Sequence, residues 1–175
     1  MGIFDFFKIK QKKQPKAKSK LSQPYENYTI FPLFNKIVEI VKEEGVTREY
    51  VERCVDHLET LSDEVITKLC QASLIYCEEN RESFFENDIY IPKKLPDRTI
   101  LKYITPLILT IDKPIDDRIG YRFECDCLWD KEERLEFTIL EDEILYVGKV
   151  HEESPWQDPN KLKEKPWNYL NKIKK

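Results

Sequence analysis

The chain has 175 residues, 41% of them apolar and only four of them glycine, and its formal net charge is −4. This length and composition suit one domain with a substantial core, and neither of the glycine-rich phosphate-binding patterns occurs in the sequence, which excludes the common nucleotide-binding motifs. The charge is uneven: residues 1–20 carry an excess of six positive charges, residues 161–175 an excess of five, and residues 21–160 a net charge of −15. The acidic body disfavours nucleic acid as a ligand, because phosphates would be repelled, and it favours a protein partner with a basic surface.

The first 30 residues are predicted to form a basic tail, amphipathic at its start and disordered further on. Its first part mixes lysines with five large apolar side chains, Ile3, Phe4, Phe6, Phe7 and Ile9. Through residues 1–20 the tail would make weak contact with an anionic membrane surface, or it would dock its aromatic rings on the body of the protein. We expect no secretory signal and no membrane-spanning helix, so the five cysteines are predicted to be free thiols in a reducing cytoplasm.

Residues 31–90 are predicted to be helical, in three segments. The first is placed at residues 32–44, where Pro32 suits a first turn, apolar residues recur along one side and Gly45 would end the helix. Thr47 and Ser62 are candidate N-caps of the second and third helices, because their side-chain oxygens can accept hydrogen bonds from the first backbone N–H groups of a helix. Apolar residues recur at spacings of three and four after both caps, as on the buried face of a helix.

Residues 97–150 are predicted to form an antiparallel meander of about four strands. Apolar and polar residues alternate over 121–129, 135–140 and 144–149, and a further strand, interrupted by Pro106, is expected within 100–111. Residues 157–175 are predicted to be a basic C-terminal tail with a short helix near its end. The fold class that follows is α+β: a single domain of residues 31–156 in which an N-terminal three-helix segment packs on the meander, between basic flexible tails.

The stretch YRFECDCLWD, residues 121–130, raises the question of a cysteine site. Side chains alternate between the two faces of a strand, so Cys125 and Cys127 would join the core while Glu124 and Asp126 point the other way. Free cysteine is among the most buried residue types, and a cysteine in apolar surroundings is inert. The core interpretation is therefore favoured, and no cofactor is expected.

The alternative is a metal- or thiol-dependent enzyme. Cys54 and His57 are three residues apart, so they would meet on one helix face and could complete a set of four ligands with Cys125 and Cys127. The spacing of Cys125 and Cys127, with one residue between them, is not the usual spacing of zinc ligands. A nucleophilic pair of Cys127 with His151 is a further possibility, without a local sequence signature to support it.

The acidic residues of the predicted sheet indicate a surface for a protein partner. Glu124 and Asp126 would share an exposed face with Glu136 of the neighbouring strand, although like charges placed opposite each other in a sheet cost stability. Such a surface would steer a basic partner, and Trp129 and Trp156 are candidate aromatic anchors beside it. The competing interpretation is that these carboxylates only keep the protein soluble.

Two blocks of sequence resemble a known group of bacterial proteins. IGYRFECDCLWDKEERLEFTILEDEILYVGKV, at residues 119–150 and followed by ESPW, resembles small bacterial meander domains of unknown function, and LCQASLIYCEE, at residues 69–79, is similar to the helical segment often attached to them. The resemblance covers roughly residues 45–156. Some members of the group resemble immunity proteins, which block a bacterial toxin by binding it. The resemblance thus implies a non-catalytic bacterial protein that binds a protein partner, and it brings no catalytic residues.

Overall fold

A six-stranded sheet forms the centre of the protein in a computed structural model, which describes residues 27–84 and 90–174. The strands lie side by side in chain order, and every neighbouring pair is antiparallel except β2 and β3, which are parallel. A parallel pair needs a crossover connection, and two helices supply it here. The strands are β1 (Tyr28–Phe31), β2 (Lys36–Lys42), β3 (Ile104–Ile111), β4 (Gly120–Cys127), β5 (Leu135–Leu140) and β6 (Glu143–Gly148).

The two longest helices lie in the crossover, between β2 and β3. Helix α1 spans Arg48–His57, and the side chain of Thr47 accepts a hydrogen bond from the N–H of Tyr50 at 3.2 Å. Helix α2 spans Asp63–Glu79, and the Ser62 hydroxyl accepts from the N–H of Val65 at 3.3 Å. Both predicted N-caps are thereby confirmed. The other helical elements are α3 (Pro159–Glu164) and short 3₁₀ turns at Arg81–Phe84, Asp97–Tyr103 and Tyr169–Lys172; no helix among the described residues is both long and apolar enough to cross a membrane.

The prediction of a helix at residues 32–44 is wrong. These residues form a turn and the strand β2, which pairs with β1 in a hairpin. Pro32 and Asn35 belong to a tight turn, in which the N–H of Asn35 donates to the carbonyl of Pro32 and Asn35 has a φ of 50°. Burial then alternates along both strands: Thr29, Phe31 and Val38 are buried, whereas Ile30 and Ile37 are exposed. The run of β-branched residues in KIVEIVK favours a strand, and its apolar residues fit the spacing of a helix only by coincidence.

The predicted meander is confirmed as β3–β6, but it is only part of the sheet. β1 and β2 extend it at one edge, so the sheet has six strands and is mixed rather than purely antiparallel. The helices consequently do not form an N-terminal three-helix segment: the chain begins its described part with strands, and α1 and α2 follow them.

The core lies between the helices and one face of the sheet, called here the inner face. Phe31, Phe123 and Phe137 form its aromatic centre, with ring centroids 4.4 Å apart for the first pair and 5.0 Å for the second. All three rings are fully buried, and burial of one such side chain contributes about 2–3 kcal/mol. On the opposite, outer face, the exposure of the side chains differs from strand to strand.

The segment predicted as a C-terminal tail, residues 157–175, is folded as far as it is described, to residue 174. The Asp158 side chain caps α3 by accepting from the N–H of Asn160 at 2.9 Å, and Leu162 is buried. Tyr169 is buried as well and stacks on Tyr76 of α2, with centroids 4.6 Å apart. Periodicity did not reveal these contacts, because single apolar residues spaced among lysines give no regular pattern. Of the basic tail predicted at residues 1–30, residues 28–30 belong to β1, and residues 1–26 lie outside the described part of the chain.

Candidate functional site

Cys125 and Cys127 lie on the inner face of β4, as the alternation predicts. Cys125 is fully buried, Cys127 is 2% exposed, and both belong to the core with Tyr121 and Phe123. Burial raises the pKa of the Cys127 thiol to about 12 and raises the pKa of Cys125 well above its usual range. A thiol that keeps its proton is a poor nucleophile and a poor metal ligand. These two residues therefore act as core packing in this structure.

The residues of the alternative metal site are engaged elsewhere. His57 Nδ1 lies 2.8 Å from the hydroxyl of Tyr121, and burial raises the pKa of Cys54 to about 12. Within residues 27–84 and 90–174, no three His, Cys, Asp or Glu side chains are grouped so that they could hold a metal ion. Cys54, His57, Cys125 and Cys127 are thus not brought together. His151, the candidate partner of Cys127, packs instead on the Trp167 ring at 4.7 Å.

Glu124 and Asp126 lie on the outer face of β4, but a cation accompanies them. Arg134 donates a hydrogen bond to Glu124 through Nη1, and its Nε is 3.4 Å from Asp126 Oδ1. The Asp126 side chain is 58% exposed and that of Glu124 is 27% exposed. The pair is therefore accessible, as predicted, but less negative than two carboxylates alone.

Glu136 does not belong to this surface, and its predicted exposure is wrong. It is 2% exposed, because residues 152–156 run across the outer face of β5 above it. Its two carboxylate oxygens accept the N–H groups of Glu152 at 2.9 Å and Glu153 at 2.8 Å, and Arg122 Nη1 lies 4.0 Å away. Glu136 thus fixes the chain that follows β6 to the sheet. Local alternation correctly places Glu136 on the outer face, but it cannot reveal that a later segment covers this face.

The two predicted aromatic anchors are also inside the structure or packed on it. Trp129 is 1% exposed and contacts Tyr76 edge-on, with ring centroids 5.9 Å apart, so it is not a surface anchor. Trp156 is half-buried, lies against Gly120 and has the guanidinium of Arg118 5.8 Å from its ring centroid. Both indoles pack within the fold; a role of Trp156 at the rim of an interface remains a prediction.

The burial of Glu136 predicts a pH dependence of stability. Burial raises its pKa from 4.5 to about 7, against the lowering effects of the two backbone N–H groups and of Arg122. Because the folded state then binds the proton more tightly than the unfolded state, this stabilisation is complete below about pH 4.5 and is lost as the pH rises to about 7. Relative to Glu136→Gln, the free energy of unfolding of the wild type should fall over this interval, by roughly 3 kcal/mol at most.

Urea unfolding of both proteins at several pH values measures this difference, and the other carboxylates cancel because both proteins contain them. The glutamine amide has one acceptor oxygen where the carboxylate uses two, but the cost of this difference does not change with pH. A difference that stays constant between pH 4.5 and 7, or that increases with pH, would contradict the prediction.

An exposed apolar strip lies on the outer face of β1 and β2, and the sequence does not predict it, because residues 1–30 are predicted to be a tail and residues 32–44 a helix. Ile30 of β1 and Ile37 of β2 are direct cross-strand partners and are 58% and 71% exposed. Tyr28 and Val41, on the same face, are 43% and 42% exposed. Among the described residues of β1 and β2, Glu39 is the charged residue on this face. The four apolar residues are called the apolar strip below.

The two edges of the sheet differ in whether their backbone groups have hydrogen-bond partners. Beside β6, the Asn168 side chain accepts from the N–H of Val147 at 3.3 Å and donates to the carbonyl of Leu145 at 3.0 Å, so it occupies the place of a further strand. At the other edge, the N–H of Ile40 donates to the carbonyl of Asn27. Hydrogen-bonded and non-hydrogen-bonded pairs alternate in antiparallel strands, so Tyr28 and Ile30 direct their backbone N–H and C=O groups away from β2. Within residues 27–84 and 90–174, this edge is not paired with another strand, and it coincides with the apolar strip.

As far as the chain is described, these features define an α+β domain with a mixed six-stranded sheet and an open, apolar corner at β1 and β2. The chain belongs to the family described as a domain of unknown function, DUF6985, whose model matches residues 15–154. The match includes all six strands with α1 and α2, and it ends before α3. No curated protein and no solved structure matches the chain.

Proposed function

We propose that this protein acts by binding another protein, without catalysis, through the apolar strip. The observation that carries the proposal is the exposure of Ile30 and Ile37, which lie side by side at an open sheet edge. Large apolar side chains grouped on a surface are typical of interaction sites, and an exposed edge strand offers backbone hydrogen bonds to a partner. The buried thiols of Cys125 and Cys127 support the same choice over a thiol enzyme.

The chemistry of the partner follows from charge. Across the outer face, the register sets Tyr28, Glu39, Ile108 and Glu124 in one row over β1–β4, so carboxylates alternate with apolar side chains beside the strip. Residues 21–160 carry a net charge of −15, which would speed association with a basic protein. The partner proposed is therefore a basic protein domain with an apolar centre to its interface.

A toxin domain would meet this description, and the resemblance to immunity proteins supports it. In this proposal the protein is a bacterial, cytoplasmic immunity protein that blocks a basic toxin by covering its surface. The competing proposal of a membrane-surface adaptor depends on residues 1–20, outside the described part of the chain. Liposome pelleting of the full chain, with and without neutralised lysines in that segment, would test it separately.

The binding proposal predicts that Ile37→Asp weakens binding to a co-expressed toxin partner at least tenfold, or about 1.4 kcal/mol. Ile37 is 71% exposed in the described part of the chain, so the carboxylate would be hydrated there but desolvated in the complex, and the substitution should act on binding and not on folding. Pull-down followed by titration calorimetry measures the affinity, and rescue of growth from the toxin measures the activity.

Ile115→Asp is the matched control, because Ile115 is 69% exposed but lies outside the apolar strip. It should bind as the wild type does, and both variants should unfold at the wild-type urea concentration. Equal affinities of Ile37→Asp and wild type, or equal losses in both variants, would overturn the apolar strip as the binding site.

A further inference from the structure

Among the described residues, the outer face of the sheet is covered over one half and bare over the other. Over β4–β6, Pro155 and Trp156 lie on Gly120, and Trp167 lies on Gly148. The carbonyl of Glu153 accepts from the Thr138 hydroxyl at 2.8 Å, so the covering segment is hydrogen-bonded to the sheet. Over β1 and β2, the apolar strip remains exposed in the described residues. The covering segment lies almost entirely beyond residue 154, where the family match ends.

Residues 1–14 are the second part of this chain outside the family match, and their chemistry complements the bare half. They include Ile3, Phe4, Phe6, Phe7 and Ile9, which together would cost free energy if they stayed in water. Lys8 lies between Phe7 and Ile9, and Lys10 follows Ile9. Glu39 lies on the face of the sheet that this segment would cover. Counting Asp5, residues 3–10 carry an excess of one positive charge, opposite in sign to Glu39.

The connection is short enough to favour an intramolecular contact and long enough to permit it. Asn27 directly precedes β1, the edge strand that contributes Tyr28 and Ile30 to the apolar strip. Seventeen residues, 10–26, separate Ile9 from Asn27, and such a length reaches up to roughly 55 Å when extended. The strip crosses only two strands, each about 4.8 Å from the next. A tethered segment also acts at a high effective concentration.

We propose that residues 3–9 cover the apolar strip of the same molecule in the free protein. The segment would complete the outer face from one end of the chain, as residues 152–168 do from the other. A partner that binds the strip would first displace it, so the segment would act as a built-in competitor. The covering itself requires no partner, and its test is therefore separate from that of the proposed function.

A thiol introduced by Ile37→Cys reports on the cover, because the five native cysteines are all buried. The initial rate of its reaction with a maleimide is measured in the full-length chain, with and without Phe4→Ser, Phe6→Ser and Phe7→Ser. We expect at least threefold faster labelling when the three phenylalanines are replaced. Tyr28→Cys serves as a second reporter on the strip, and Tyr90→Cys, at a site 84% exposed and outside it, serves as the control.

Lys16→Ser, Lys18→Ser and Lys20→Ser form the control set, equal in number and placed in the connection between the segment and β1, and should leave the rate at Ile37→Cys within twofold. Rates that do not change with protein concentration are expected of a cover within one molecule. Equal labelling with and without the phenylalanines would overturn the proposal. Protection that grows with protein concentration would also overturn it, because a second copy would then be the cover.

Discussion

Replacing Gly148 by alanine is expected to lower the free energy of unfolding by about 4 kcal/mol, because the added methyl group has no room. A Cβ at this position would overlap the backbone carbonyl oxygen of Trp167 and lie 2.7 Å from the Tyr146 hydroxyl. The Tyr146 hydroxyl is held in place, because it donates to the carbonyl of Lys149 at 2.6 Å and Tyr146 is fully buried. Overpacking a rigid site costs about 1–3 kcal/mol and occasionally more, and here a backbone atom must also shift.

The strain should be relieved by moving the C-terminal segment away from β6, since Trp167 belongs to that segment. Urea unfolding gives the loss of stability, and limited proteolysis after the lysines of α3 reports the release of the segment. Glu143→Ala, an exposed position at the start of the same strand, should change stability by less than about 0.5 kcal/mol. Wild-type stability of Gly148→Ala would show that Trp167 does not pack on the strand in this way.

Local signals in the sequence were sufficient for the helices with strong N-caps. Thr47 and Ser62 accept the hydrogen bonds predicted for them, and the apolar spacing after each cap is that of a helix alone. They were insufficient for KIVEIVK, at residues 36–42, because its apolar residues satisfy both periods over so short a length. The pairing that decides between them is partly non-local: Glu39 of β2 lies beside Ile108 of β3, about 70 residues later.

The candidate site shows the same division between local and non-local information. Alternation within β4 correctly placed Cys125 inside and Asp126 outside. The same rule placed Glu136 on the outer face, where it lies, but burial depends on what covers that face. Residues 152–156 do so through backbone groups, whose contacts leave no trace in side-chain patterns. The apolar strip could not be predicted, since Tyr28 and Ile30 fall in the predicted tail and Ile37 and Val41 in the predicted helix, so their pairing across β1 and β2 has no local signal.

The second large effect is expected for Asn168→Ala, with a loss of about 3–4 kcal/mol in the free energy of unfolding. Asn168 is 1% exposed and joins three parts of the structure: its amide oxygen accepts from Val147 and Leu170, and its amide nitrogen donates to the carbonyls of Leu145 and Leu162. Alanine would leave these backbone groups without their partner, and each unsatisfied buried group costs about 1–3 kcal/mol.

The same substitution should also open the second edge of the sheet, because the asparagine amide is what occupies the hydrogen-bonding positions beside β6. An open edge strand is a template for pairing with another chain, so Asn168→Ala should self-associate at concentrations where the wild type does not. Urea unfolding and light scattering measure the two effects.

Asn171→Ala is the matched control, since Asn171 donates to the carbonyls of Lys163 and Lys165 but is exposed. This variant should lose less than about 1 kcal/mol in the free energy of unfolding and should not self-associate. Equal behaviour of the two variants would contradict the assignment of Asn168 as the residue that closes this edge.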